Sequence, residues 1–411
     1  MPTKTPQRAR LRATVFTTLF SGGFRPFFLF AGGYGALAVG AWVGWLEGVW
    51  NLPQIYPASQ LHAHEMMYGF ALAAIAGFLL TAVPQWTGDK ALRGPGLAAL
   101  AGTWLVGRLA MLGAGAVGPM AAMALDMIFP LALCAVIGAM LLRAGNRRNY
   151  GFIAILAVAA LANLCWHLEM SGLAPDAFEN IAESAQQLML NLLLLIVAIM
   201  GGRVIPMFTA NWLRRQGQTL PMRHPVWLQR LCLGGLVAVT LAEFLTPHFN
   251  QLDPRLTGAL ALATGIALLA RLWGWKGYRT LAHPLVWIMH LAYFWLGVAL
   301  LAKAGYYLDA GIPMAAARHA AAMGAVGSMI MAIMPRVSLG HTGRDLILPR
   351  PMLAAYGLYV AAPLLRVASP FLDGAWYQTT LMLSGLCWTL AFAIFIYTFA
   401  PMLFAPRADT P

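Results

Sequence analysis

Twelve apolar stretches recur from one end of this sequence to the other, each near the roughly 20 residues a helix needs to cross the hydrocarbon core of a bilayer. They cover 27–47, 59–84, 95–116, 119–143, 150–171, 182–206, 226–246, 256–274, 283–305, 314–335, 351–368 and 376–402. Only 10% of the 411 residues are charged, where a water-soluble domain carries about a quarter. Such a chain cannot cover a folded surface with water-compatible groups, so its outer surface must face lipid. The expected fold is all-α, a single polytopic transmembrane domain over 1–411 with a short basic arm at 1–23. The apolar stretch after that arm is full membrane length and has no small-residue cleavage signal, so it is expected to be retained.

The formal charge of +13 is dispersed in short loop clusters and forms no single patch, which argues against a nucleic-acid partner. Lys4, Arg8, Arg10 and Arg12, then alternate loops with Lys90/Arg93, Arg143/Arg147/Arg148, Arg214/Arg215/Arg223, Lys276/Arg279 and Arg344/Arg350, carry most of it. Positive loops mark the cytoplasmic side, so both termini are expected inside. The acidic loop with Asp176, Glu179 and Glu183 falls outside. The second, sixth and tenth stretches all end in an apolar pair and proline, at Pro84, Pro206 and Pro335. That recurrence suggests three four-helix units, an architecture resembling the haem–copper oxidase catalytic subunit by analogy alone.

Ionisable side chains inside a membrane are costly and usually functional. The run His62-Ala63-His64-Glu65 opens the second stretch at its outer end, Arg318-His319 opens the tenth, and His167 stands near the outer end of the fifth. On an α-helix, residues two apart point about 200° away from each other, so His62 and His64 address different neighbours while His62 and Glu65 share a face. His64 and His319 lie at similar depth and are candidates for a bis-imidazole iron, which needs two imidazoles across a gap. The small residues Ala320–Gly327 after His319 allow a flat ligand or another helix to come close. A third imidazole in the layer, His167, suits copper better than calcium or magnesium. The bland alternatives are interfacial histidines that reach the headgroups and hydrogen-bonded structural ones. Towards the cytoplasm, His290 lies well inside the ninth stretch and His341 follows the tenth in a glycine-bearing loop. Either suits a second metal site, or haem propionates together with Arg336 and Arg344. Glu65 and Glu169 are the acids nearest the outer histidines and the candidates for proton supply. Arg25, in Phe24-Arg25-Pro26-Phe27-Phe28 ahead of the first stretch, reads as a lipid-phosphate contact. Cys134, Cys165, Cys232 and Cys387 show no paired spacing, and no CxxCH site signals covalent haem.

Several ordered motifs together make a resemblance. Phe24–Phe28, the run HAHEMMYGFALAAIAGFLLTAVPQWTG from His62 to Gly88, GGRVIP at Gly201–Pro206, Met289–Tyr293 and RVSLGHTGR at Arg336–Arg344 resemble the NnrS family of bacterial haem- and copper-containing membrane proteins linked to nitric oxide. The resemblance implies a multi-pass protein of the bacterial cytoplasmic membrane, with haem b and copper held among His62, His64, His167, His290, His319 and His341. It also implies a place in denitrification or nitrosative-stress defence. The leading expectation is an oxidoreductase of nitric oxide reductase type that draws on an unidentified electron donor. A non-catalytic nitric oxide sensor or buffer that protects metalloproteins is the runner-up, and a transporter the third reading. Oligomeric state is left open.

Overall fold

A computed structural model describes residues 15–50, 55–175, 180–219, 225–247 and 253–409. Asp176, Glu179, Arg223, His224, His248 and the basic residues of the arm, Lys4 to Arg12, lie outside the described residues. Among the described residues, twelve helices are long and apolar enough to cross a membrane: α1 Phe24–Leu46, α2 Ala58–Thr87, α3 Gly94–Leu112, α4 Pro119–Arg143, α5 Arg147–Met170, α6 Ile181–Arg215, α7 Val226–Leu245, α8 Pro254–Arg279, α9 Pro284–Tyr307, α10 Met314–His341, α11 Arg350–Phe371 and α12 Gly374–Phe404. The chain is an all-α, multi-pass membrane protein.

Three boundaries differ from the expected ones. Pro84, Pro206 and Pro335 do not end their helices, which run on to Thr87, Arg215 and His341. Proline removes one backbone donor and crowds one carbonyl, but the next residue can donate again and a membrane helix tolerates the break. His341 is therefore the last residue of α10 and not a loop residue. Likewise Phe24-Arg25-Pro26 forms the first turn of α1. The first four N–H groups of a helix have no partner within it, so a proline there loses nothing. Arg25 accordingly sits on the helix itself.

The contacts divide the chain into two compact units. The first comprises Met1–Pro175, Met334–Leu346 and Phe392–Pro411. Within it α2 packs on α1 and α4, and α4 on α3 and α5. The apolar window of α2 is 78% buried, so the polar residues on this helix must find their partners in protein and not in lipid. The second comprises Asp176–Ile333 and Ile347–Ala391. In it α9 packs on α6, α8 and α10, and α7 on α6 and α8.

One local departure occurs once in each unit. The helix widens to π geometry at Glu65–Ala71 in α2 and at Ala320–Gly327 in α10, in both cases immediately after a histidine, His64 or His319. A π turn spoils the regular hydrogen-bond ladder and is common at functional sites. In each segment a neighbouring aromatic side chain takes up a backbone carbonyl. The Trp104 indole donates to Gly69 O at 2.9 Å, and the Tyr359 hydroxyl donates to Met323 O at 2.9 Å. Glycine fits at 69 because a Cβ there would fall on the Tyr34 ring and 3.2 Å from Arg108 Cδ. The close approach brings both of those side chains onto the first π turn.

Candidate metal centre

Seven side chains from five helices of the first unit meet around the start of that π segment. His64 is fully buried. Its Nδ1 lies 2.9 Å from Glu65 Oε1 and its Nε2 lies 2.8 Å from Asn163 Oδ1 on α5. Asn163 Nδ2 donates to Asp126 Oδ2 at 2.7 Å, and this fixes the amide orientation, because a flipped amide would set oxygen against carboxylate. Asp126, on α4, also accepts from His167 Nε2 at 3.0 Å and from the Arg108 guanidinium. Arg108, on α3, donates from its other terminal nitrogen to Glu65 Oε1 at 2.6 Å, and the Tyr34 hydroxyl of α1 donates to Glu65 Oε2. Aromatic rings enclose the group: Trp166 lies 4.3 Å from the His64 ring, centroid to centroid. The Tyr68 hydroxyl ties α2 to α5 by donating to Ala159 O at 2.9 Å.

The geometry sets the charge of this cluster. Both nitrogens of His64 face acceptors, so the ring as arranged carries two protons and a positive charge. Two carboxylates, Glu65 and Asp126, then balance two cations, His64 and Arg108. Neutrality is what makes the burial affordable, since an uncompensated charge in a nonpolar interior costs several kcal/mol.

A ligand atom from each of His64, Asp126 and His167 lies within 4.8 Å of the others. His167 Nδ1 is buried with no hydrogen-bond partner among the described residues. Two imidazoles, one of them with an orphaned buried nitrogen, and a carboxylate fit a single small metal ion. A singly charged ion replacing the second proton of His64 would leave the cluster neutral, whereas a doubly charged one would leave it at +1.

The model of the family described as NnrS protein matches residues 18–407. The chain belongs to the NnrS family. Membership links it to metal proteins related to nitric oxide, and the buried histidine–aspartate group is a candidate metal site within it. No match was found among curated proteins.

The other residues singled out in this NnrS-family sequence are placed as follows. In the first unit His62 is half-buried and its ring stacks on Trp42 with centroids 4.5 Å apart. Glu169 is half-buried near the end of α5. His341 lies against the Phe24 ring at 5.5 Å, while Arg336 and Arg344 are half-buried. In the second unit His319 Nδ1 donates to Ala315 O at 2.7 Å, and Arg318 pairs with Glu183. His290 Nε2 donates to Thr209 Oγ1 at 2.8 Å, and that hydroxyl itself donates to Ile205 O.

Sequence reasoning missed Tyr34, Arg108, Asp126 and Asn163, although Arg108 and Asp126 carry charge in mid-stretch, which is the usual signal of function. It also passed over an ionic group in the second unit. Lys303 on α9 is fully buried and donates to Glu243 Oε2 of α7 and Asn191 Oδ1 of α6, each at 2.6 Å.

Proposed function

We propose that this chain is a metal-dependent oxidoreductase of the bacterial cytoplasmic membrane, with both termini cytoplasmic, that binds nitric oxide and reduces it to nitrous oxide. The observation that carries the reading is the buried group His64, Asp126 and His167. Copper suits it, because imidazole nitrogen is a preferred donor for that metal and a cuprous ion preserves the neutrality derived above. Haem b is assigned to His319. Donation from Nδ1 to Ala315 O leaves the ring's lone pair on Nε2, the orientation imposed on metal-binding histidines by a partner for the other nitrogen. The small residues Ala320–Gly327 that follow are filled by protein, Gly324 by the Trp295 ring and Gly327 by Tyr359 and Trp388, so they leave the haem only the half-buried side of His319, where Arg318 is the adjacent cation for a propionate.

The reaction joins two nitric oxide molecules with two electrons and two protons to give nitrous oxide and water. Bound iron and copper would supply gas binding and electron transfer, fed by a separate electron donor. The chain's own residues handle protons and geometry. Arg108 holds Glu65 and Asp126 apart and in place, and Asn163 keeps Asp126 turned towards both histidines. Glu65 faces two proton-bearing atoms, Tyr34 Oη and His64 Nδ1, so it can take a proton from either and pass it on. Glu169, near the end of α5, is the candidate acid for replenishing it. The aromatic cage of Trp166 and Tyr68 excludes bulk water.

The test is anaerobic nitric oxide consumption by purified, metal-loaded protein given a reductant, with nitrous oxide as the product. His64→Ala and His167→Ala should lose copper and turnover but keep haem, and His319→Ala should lose haem. An unchanged gas concentration despite full loading would instead support a sensor or buffer. Absence of both metals from protein made in metal-replete cells would put transport ahead.

A further inference from the structure

Two motifs that the metal cluster does not use, Phe24–Phe28 and Arg336–Arg344, meet the far end of α2 in the first unit. There they line a half-open cleft of about 640 Å³ whose walls include Phe24, Arg25, Leu80, Pro84 and His341, with Lys90, Arg93 and Arg407 among the polar lining residues. Arg25 is only 3% exposed. One terminal nitrogen donates to the carbonyls of Leu403 and Ala405, at 2.6 and 2.8 Å. The rest of the guanidinium has no hydrogen-bond partner among the described residues. No carboxylate neutralises Arg25, and the charged groups that act on it most are Arg344 and Arg407, both cations. The cavity lining holds four permanent cations, Arg25, Lys90, Arg93 and Arg407, against one carboxylate, Asp89. That carboxylate is already taken, because Arg143 bonds it at 2.8 Å and holds it below the usual carboxylate range. Arg407 is in turn paired with Asp409.

A buried cation among cations is unstable unless something negative completes it. We propose that this cavity is a binding site for a phosphate ester, whose charge Arg25 receives at the floor and Lys90 and Arg93 at the rim. A guanidinium matches phosphate oxygens in a planar fork, while Phe24, Leu80 and Pro84 give an apolar wall for the body of an ester. The cavity is far larger than an inorganic ion needs, which favours an organic phosphate. Two sources share this chemistry: the headgroup of an anionic phospholipid in the adjoining leaflet, and a soluble phosphate monoester.

The experiment is isothermal titration of the purified full chain with phosphatidylglycerol in mixed micelles and, separately, with glycerol 3-phosphate, with phosphatidylcholine as the lipid without net charge. Saturable binding of at least one anionic probe is expected. Response to the lipid alone assigns the headgroup, and equal response to glycerol 3-phosphate assigns the soluble ester. Arg25→Gln should weaken binding by at least tenfold, on the order of the loss of one charge-assisted contact, whereas Arg148→Ala, an exposed cation outside the lining, should leave it unchanged. If Arg25→Gln does not fold, the exposed rim variant Lys90→Ala/Arg93→Ala carries the test with a similar loss. No saturable binding of either probe overturns the proposal, as does equal weakening by Arg148→Ala. Loss of haem from Arg25→Gln with phosphate binding intact also overturns it, and would assign the cavity to propionates.

Discussion

Replacing Asp126 by Asn keeps the shape of the side chain and removes one negative charge from the cluster. In the native arrangement this carboxylate receives the Arg108 guanidinium, Asn163 Nδ2 at 2.7 Å and His167 Nε2 at 3.0 Å, and lies 3.3 Å from His64 Nε2. The variant leaves Arg108 and His64 facing Glu65 alone, a net +1 in a site that is 0–8% exposed at every charged side chain. Removing one partner of a buried ionic pair costs about 3–5 kcal/mol, and the expected loss on equilibrium unfolding in mixed micelles lies in that range. Copper content should fall with it, since a ligand is lost. Two explanations of the instability separate in the double variant Arg108→Gln/Asp126→Asn, which removes one cation and one anion and restores neutrality. If charge balance is what the cluster requires, the double variant recovers more than half of the loss of the single one, a coupling well above the few tenths of a kcal/mol seen between independent sites. Copper binding should not return, because the carboxylate is still missing. Simple additivity of the two single losses, or full copper occupancy in Asp126→Asn, would refute the reasoning.

Two further outcomes rest on the same physics. Lys303→Met should destabilise the protein by about 3–5 kcal/mol by stranding Glu243, whereas Lys303→Met/Glu243→Leu/Asn191→Leu should come close to the native stability, because apolar residues replace the buried pair and the amide bonded to both of its members at little net cost; unfolding of the three proteins side by side checks it. Gly69→Ala should cost about 1–3 kcal/mol through overpacking against the Tyr34 ring, with copper affinity falling as Tyr34 moves away from Glu65, measured by metal titration of the reduced protein.

The membrane class and the number of helices were legible because they follow from apolar length and charge poverty, which are properties of each segment by itself. Helix ends at proline were not, since a proline removes only one bond of the ladder, and whether the helix resumes is decided by the residues that follow and by packing. Around the candidate metal site the two histidines on α2 could be named from sequence, and so could His167, because imidazole inside an apolar run is conspicuous. Their division of labour could not. His62 and His64 differ by where Trp42 and Asn163 stand, and those partners come from α1 and α5. Arg108 and Asp126 were each visible as a charge in mid-stretch, yet that one neutralises the other is a fact of packing between α3 and α4. The acid expected beside the histidines, Glu65, is in the cluster. Its role there depends on Tyr34 and Arg108, which Gly69 admits.

Placing a histidine immediately before a π turn has a consequence for chemistry in a membrane. A regular α-helix saturates its own backbone and leaves side chains as its sole means of bonding to a neighbour. Where the ladder widens, carbonyls become available to partners, and at Gly69 and Met323 those partners are an indole and a phenol from adjacent helices. Each such bond pins the widened segment laterally, so the histidine at its start is held by backbone as well as by side-chain contacts. At His64 the pin and the ionic cluster share one helix: Trp104 stands one turn from Arg108 on α3, so the residue that braces the π turn and the residue that neutralises Glu65 and Asp126 move as one body. A metal ion exchanging with the second proton of His64 would therefore meet a cage whose positions are set by helix packing, with little reorganisation left to be done when charge moves. Low reorganisation is what electron and proton transfer in a water-poor site demand, and the proposed redox role would draw on it.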